Sequence, residues 1–517
     1  MAYYLVTLCC VFTTLGSFLF GYDSGVISST LDQEDFQNRF NHPSDAATGG
    51  IVASYNGGAI LGSALVSYIS DPYGRRPVIF IGGLLGSLGA ALQAGAVTVA
   101  MLIAGRLIAG LAVGLMSSAI PVYCSEVSPP RIRGFLGSMQ QWMIGLGFVV
   151  AVCYITIIRL YSFRQWTGYG CSLHTGAITW RLPLAIQAVP AVILCFGVWL
   201  LPESPRWLIE KGRAEAGREI LARLHSNRDR SNIHMVEAEI AQINDSIAEE
   251  RRSAVHSWRE LLSKARWRHR LLLACGIQAF TQCSGTNIIS NYNPGLYRTL
   301  GLKGTTPLML QGIWGALAQF WNTVFMLFID RVGRRKLLIP SLLGMGATMC
   351  IEAALAQANG GFRDPSANPD AVRAAIAMFF VFSIFFTSLG LISWIYPSEI
   401  FPTAIRARGS SLATATNWSL NLVFAQCTPI ARSTMGFNYF YCFFAFNWVA
   451  AAITWAFYPE TAGKSLEDVE HIFSSSSRDD FPHPVPDLKN DVVAVANPAD
   501  SDWSRENLEL SCHAKMS

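Results

Sequence analysis

Two charged residues stand where charge is expensive. Asp23 lies in the apolar run 4–27 and Arg106 in the apolar run 99–122. A lone charge at the centre of a bilayer costs ~2.5 kcal/mol or more, so each needs a partner or a way out to water. One solution is a helix-end aspartate and an arginine stretched to the interface. Arg106 has Ile103-Ala-Gly before it and Leu-Ile-Ala-Gly-Leu-Ala-Val-Gly114 after it, so the stretch is long and an interior ion pair is the better solution. The chemistry of that pair is conditional. Arg106 close by keeps Asp23 ionised, whereas separation in a water-poor interior invites a proton onto it.

Amides supply a second kind of chemistry. Gln278 and Gln282 are spaced to share one helical face, and Gly285 just beyond permits local unwinding. Amides both donate to and accept from hydroxyls, which suits a polyhydroxylated ligand; hydrogen bonding between helices is the plainer use. A third pattern is charged and repeated. Asp71-Pro-Tyr-Gly-Arg-Arg returns as Asp330-Arg-Val-Gly-Arg-Arg, Glu126-Val-Ser-Pro-Pro-Arg-Ile-Arg-Gly as Glu399-Ile-Phe-Pro-Thr-Ala-Ile-Arg-Ala-Arg-Gly, and Pro202-Glu-Ser as Pro459-Glu-Thr. Glycine allows the tight bend and the arginines give fixed positive forks. Topogenic charge alone would explain Arg75 and Arg76 but not the paired Asp or the ordered repeat.

Other chemistries lack their residues. The 12 Cys are scattered without a Cys-x-x-Cys, and the 9 His fall in polar segments. No nucleophile–base or metal constellation occurs, so neither an enzyme nor a metal or other cofactor is expected.

The elements that must carry these residues follow from composition. The chain has 517 residues, 51% hydrophobic and 14% charged, against about 25% charged in soluble domains. Apolar runs long enough to span a bilayer fall near 4–27, 49–70, 78–97, 99–122, 136–158 and 182–201. Six more fall near 270–290, 306–329, 337–358, 374–396, 409–431 and 437–458. The expected fold is an all-α polytopic membrane protein of 12 transmembrane helices in two six-helix bundles. Its parts are an N-terminal bundle (1–201), a cytoplasmic helical linker (202–269), a C-terminal bundle (270–458) and a cytoplasmic tail (459–517). Most of the 39 Lys and Arg fall in connections on one side, which places that side and both termini in the cytoplasm. The first basic residue is Arg39, so the first run lacks the basic flank of a cleaved signal and reads as a retained helix. The net charge of +4 implies no nucleic-acid partner. Gly83-Leu-Leu-Gly-Ser-Leu-Gly89 reads as close helix packing rather than a phosphate loop. The stretch Ile209–Arg252 reads as amphipathic helices, and the polar tail from Ser474 as disordered. Residues 153–166 lengthen the fifth span and set Arg159 at its outer end.

The set Asp71–Arg76, Pro202-Glu-Ser-Pro-Arg-Trp-Leu208, Asp330–Arg335 and Pro459-Glu-Thr461 resembles the sugar porter family of the major facilitator superfamily, from Gly21-Tyr-Asp23 to about Phe473. Phe20-Gly-Tyr-Asp-Ser-Gly-Val-Ile27 and Trp180-Arg-Leu-Pro-Leu-Ala-Ile-Gln187 look like fungal members, which implies a monomeric plasma-membrane hexose transporter. The resemblance implies proton symport through Asp23 and Arg106, with alternating access between the bundles. It implies sugar contacts from Gln141, Gln278, Gln282, Asn287, Trp394 and Asn417. It also implies a cytoplasmic gating network of bridges across the bundle ends, from Asp71, Arg75, Arg76, Glu126, Arg133, Glu203, Arg206, Asp330, Arg334, Arg335, Glu399 and Arg408. The chain departs from the family pattern at three places: Thr281-Gln282 replaces a Gln pair, Ala318-Gln319 replaces an eighth-span Asn, and Leu389-Gly-Leu-Ile-Ser-Trp lacks the usual prolines. Passive facilitation and a polyol, quinate or disaccharide substrate are the alternatives. A non-transporting sugar sensor is disfavoured by the short tail.

Overall fold

The computed structural model describes residues 4–31, 34–129, 132–160, 178–225, 237, 240, 241, 243–245, 263–302, 306–359, 369–401, 403–462 and 473. Its long helices, in chain order, are α1 (Tyr4–Thr13 running on as Leu15–Thr30), α2 (Asp45–Tyr73), α3 (Arg75–Ala94), α4 (Val99–Val127), α5 (Arg133–Leu160) and α6 (Ile178–Ile186 running on as Ala188–Gly197). The second half has α7 (Ala265–Cys283, then Thr286–Thr299), α8 (Thr306–Val332), α9 (Arg334–Ala358), α10 (Pro369–Ile400), α11 (Thr403–Met435) and α12 (Phe440–Phe457). No strand occurs among the described residues. The chain is a multi-pass membrane protein of two six-helix bundles, its regular structure helical throughout the described residues.

Ten of these helices are apolar and long enough to cross a membrane; α7 and α11 are not. The two exceptions are the polar ones. Buried faces of α7 carry Gln278, Thr281, Gln282, Asn287 and Asn293, and those of α11 carry Ser410, Ser411, Thr414 and Asn417. The two helices pack on each other, so these groups find partners inside the protein and not lipid. Several helices also overshoot the expected spans. α10 has 32 residues, ~48 Å at 1.5 Å per residue, longer than a hydrocarbon layer of ~30 Å is thick.

Small residues set the closest packing. A Cβ on Gly58 would lie 2.0 Å from the Leu107 carbonyl oxygen, and one on Gly110 2.0 Å from that of Tyr55. Gly62 and Gly114 repeat the contact one turn on, so α2 and α4 touch backbone to backbone. Gly89 of α3 meets Ala109 in the same way, its Cβ position 2.7 Å from the Ala109 nitrogen. The two halves meet along α2 with α11 and α5 with α8. After α6 come the short helices Pro205–Glu210 and Ala214–His225. Most of the rest of the expected amphipathic stretch, the tail from Ser474, and the side chains of 153–160 with all of 161–166 lie outside the described residues.

A carboxylate closes each half. Gly74 (φ +96°) and Gly333 (φ +101°) precede α3 and α9 in backbone conformations that favour glycine. The freed N–H groups at the helix starts then have acceptors. Arg75 and Arg76 N–H donate to the Glu203 carboxylate at 3.0 and 3.3 Å. Arg334 and Arg335 N–H donate to that of Glu460 at 2.8 and 3.0 Å. A negative charge is also what a helix N-terminus prefers.

Candidate functional site

A cavity of about 170 Å³ lies between the halves, lined by Phe20, Tyr55, Asn56, Arg106 and Gln141 on one side and Thr281, Gln282, Asn287, Trp394, Asn417 and Asn421 on the other. α7 shapes it by breaking at Ser284-Gly285, where Gly285 has φ +94°. The break swings Asn287 back over Gln282.

The amides of α7 and α11 form one chain. Asn287 Nδ2 donates to Gln282 Oε1 at 2.7 Å, and Gln282 Nε2 to Asn417 Oδ1 at 3.0 Å. Asn417 Nδ2 donates to Gln278 Oε1 at 2.5 Å, and Gln278 Nε2 to the Ser393 carbonyl at 2.9 Å. The shared helical face of Gln278 and Gln282 therefore grips a single asparagine. Gln278 does not line the cavity; it is 1% exposed and ties the chain to α10 from behind. Its place is that of a positioning group, because Asn417 stands between it and the open space. Across the cavity, Trp394 Nε1 donates to Gln141 Oε1 at 2.9 Å, joining the halves at the cavity wall.

Asp23 and Arg106 meet. Arg106 Nη1 donates to Asp23 Oδ2 at 3.0 Å, with side chains 2% and 4% exposed. Arg106 also donates through Nε to the Ile51 carbonyl at 2.9 Å and lies 4.8 Å above the Tyr55 ring. Arg106 faces the cavity, and Asp23 stands behind Gly21 and Ser24, which line it. Gln93 of α3, wholly buried, sits beside the Asp23 carboxyl.

The charge network is arranged differently from the expected bridges across the bundle ends. Arg75 grips Glu126 with two hydrogen bonds, 2.9 and 2.7 Å, the side chains 3% and 0% exposed. Arg334 reaches Glu399 at 2.7 Å and Asp330 at 2.9 Å. Both clusters lie within one half. Arg76 and Arg335 turn outward to the carbonyls of Trp199 and Trp455. Arg206 is buried on the short helix Pro205–Glu210, and the Arg133 side chain lies outside the described residues. Of the residues expected in the network, Asp71 and Arg408 are the pair seen to cross between the halves, at 3.8 Å and partly exposed. Ser411 adds a hydrogen bond to the Ser63 carbonyl nearby. The reason is burial: the arginines fold back into their own half, where a carboxylate on α4 or α10 is already desolvated. Burial also pushes the Glu203 carboxyl up, while backbone N–H groups of Ser204, Arg75 and Arg76 oppose it.

Several residues escaped the sequence reading. Asn56 donates to Asn421 at 3.2 Å across the halves, and both line the cavity. Asn322 lines it as well, one turn beyond Gln319, so an eighth-helix amide is present although displaced. Glu460 repeats the part of Glu203. Glu352 lies inside α9 and is 1% exposed. Its signal was the one that revealed Asp23: an acid in the middle of an apolar run.

The family model for "Sugar (and other) transporter" matches residues 9–473. The chain is 35% identical over 471 residues to the MFS-type transporter criB of Aspergillus cristatus, covering 91% of this chain and 93% of that one. It is 32% identical over 474 residues to the high-affinity glucose transporter of Kluyveromyces lactis, covering 89% and 83%. Among solved structures, the proton:xylose symporter XylE bound to 6-bromo-6-deoxy-D-glucose superposes with a TM-score of 0.78 at 26% identity, covering 92% of this chain and all of that one.

Proposed function

The chain belongs to the sugar transporter family of the major facilitator superfamily, and on that premise we propose that it carries a monosaccharide across the membrane by proton symport. It is a transporter and not an enzyme; the substrate, the coupling and the plasma-membrane location with cytoplasmic termini are our reading. The observation that carries the coupling is the buried Asp23–Arg106 contact of 3.0 Å at the cavity wall. Arg106 keeps two other holds, the Ile51 carbonyl and the Tyr55 ring. A proton on Asp23 therefore removes its charge partner without setting the guanidinium loose. The change in charge is confined to α1, which can then move relative to α2 and α4. On the other wall, a sugar hydroxyl is offered the donor and acceptor ends of the amides of Gln282, Asn287 and Asn417, with the Trp394 indole and Gln141 completing the site. Gln278 holds Asn417 in place. Binding energy from one ligand touching both halves favours the closed arrangement, which is what alternating access requires.

The test is sugar-induced alkalinisation of the medium, with labelled uptake, across a panel of substrates in transporter-null cells. Alkalinisation with a hexose or pentose supports the proposal, and sugar uptake without proton uptake refutes the coupling. A polyol or quinate is the second reading. It is favoured by Thr281, which lines the cavity and gives its hydroxyl to the Ile277 carbonyl at 2.9 Å, leaving fewer amides for a pyranose.

A further inference from the structure

Glu352 is a buried carboxyl that the proposed transport cycle does not use. It sits in α9, 1% exposed, and neither of its oxygens has a hydrogen-bond partner among the described residues. Among the described residues no charged side chain acts on it. The helices packed on α9 carry their charges near their ends: Asp330 and Arg331 on α8, and Asp370, Arg373 and Glu399 on α10. α12 carries none, its titratable groups being Tyr441 and Cys442. Among the described residues the titratable group that interacts with Glu352 is Tyr297 of α7; the turn Gly436–Tyr439, also packed on α9, adds Tyr439, and α10 adds Tyr396. A bare carboxylate without donor or cation in such a place is far costlier than its neutral acid.

The surroundings give this carboxyl a route. Thr286, Ser290, Asn293 and Tyr297 follow each other at intervals of four, three and four residues, which places them on one face of α7. Thr286 and Ser290 line the central cavity. Asn293 and Tyr297 are wholly buried, Asn293 stands beside the Tyr297 hydroxyl, and the Tyr297 ring is packed edge-on against Phe379. The stripe thus runs as hydroxyl, hydroxyl, amide, phenol from the cavity to Glu352. One turn beyond Glu352 on α9, Ala356 and Gln357 line a second cavity of about 410 Å³ with Leu296, Thr299 and Thr428.

We propose that Glu352 is a second proton-binding site in the C-terminal half, protonated in this conformer and joined to the central cavity by the polar stripe of α7. Water in either cavity supplies the proton and takes it back; no other reactant is needed. The site is separate from Asp23, which lies in the other half and has a cation of its own.

The test is infrared spectroscopy of the purified full-length protein in lipid nanodiscs at neutral pH, without sugar. The carbonyl stretch of a neutral carboxylic acid, shifted by deuterium exchange, is expected in the parent and in Asp23→Asn. In Glu352→Gln the band should be lost. A band unchanged in Glu352→Gln, or absent from the parent, overturns the proposal. If Glu352→Gln does not fold, Glu352→Asp decides, because the acid carried on the shorter side chain should give a shifted band; an unmoved band overturns it equally. The measurement reads no transport, so failure of proton–sugar coupling and failure of this site are separate results.

Discussion

Two arginines of the charge network should give opposite phenotypes when replaced by alanine. Arg75→Ala removes the bidentate partner of Glu126, whose side chain is 0% exposed. Removing one member of a buried ion pair costs about 3–5 kcal/mol, because the other charge stays buried and unpaired. Arg406 and Ser204 also act on Glu126, which puts the expected loss at the lower end of that range. The loss falls on the N-terminal half, since Arg75 and Glu126 both belong to it. Arg408→Ala breaks the contact with Asp71 at 3.8 Å, with side chains 26% and 35% exposed. A partly exposed pair is worth ~0.2–1 kcal/mol, so the conformer ratio should change by no more than about fivefold. The assay has two readouts on purified protein: the apparent unfolding midpoint, and the labelling rate of a cysteine introduced along the cavity on the side of the Asp-x-x-Gly-Arg-Arg turns. Arg75→Ala should lower the midpoint and the yield. Arg408→Ala should leave the midpoint near the parent and speed labelling. If Arg75→Ala unfolds with the parent and instead accelerates labelling, the arginine is a latch between the halves and the reasoning from burial fails.

Asp23→Asn keeps the shape beside Arg106 and removes the titratable group, so uphill sugar accumulation should vanish while counterflow exchange persists; continued accumulation against a gradient refutes the role of Asp23. Asn417→Ala breaks two links of the amide chain, each worth ~0.5–1.5 kcal/mol, and should weaken sugar binding by about 1–3 kcal/mol, or roughly 5- to 150-fold in Kd. Equal affinity by isothermal titration would remove the chain from the site. Gly110→Val drives a side chain into the Tyr55 carbonyl, 2.0 Å from the Cβ position, with an overpacking cost of ~1–3 kcal/mol. Because Tyr55 and Ile51 of α2 also hold Arg106, the variant should lose transport along with stability, as uptake normalised to surface protein would report.

Of the residues that violate their surroundings, Asp23 and Arg106 were legible in the sequence, whereas Glu352 passed unread. Asp23 and Arg106 announced each other because hydrocarbon tolerates neither alone. The ten apolar helices followed from hydropathy; α7 and α11 read as apolar runs near 270–290 and 409–431 as well, although as folded helices they are too polar to meet that criterion. Their polarity is the reason they make the cavity wall. The amides were legible as a set but not as a chain: helical spacing puts Gln278 and Gln282 on one face, yet nothing in it says that Asn417 sits between them. Direction within the charge network was also hidden. Arg75 and Arg334 have acids on several sides, and the choice of Glu126 and Glu399 depends on which carboxylate the packed bundle has already stripped of water. Asn56 and Asn421 lie far apart in sequence, each an ordinary polar residue in its helix until the other is opposite.

The carboxylate caps carry an implication for how the protein is made. The helix starts at Arg75 and Arg334 are satisfied by Glu203 and Glu460, residues that leave the ribosome only after the sixth and twelfth helices. Until then, each third helix of a half carries backbone donors without their final acceptors. The N-terminal half can gain this fastening while the C-terminal half is still untranslated, because Glu203 precedes α7 in the chain. Each half therefore carries its own fastening carboxylate. A half that ended before Glu203 would carry the apolar helices α1–α6 and still lack the acceptor for the Arg75 and Arg76 N–H groups.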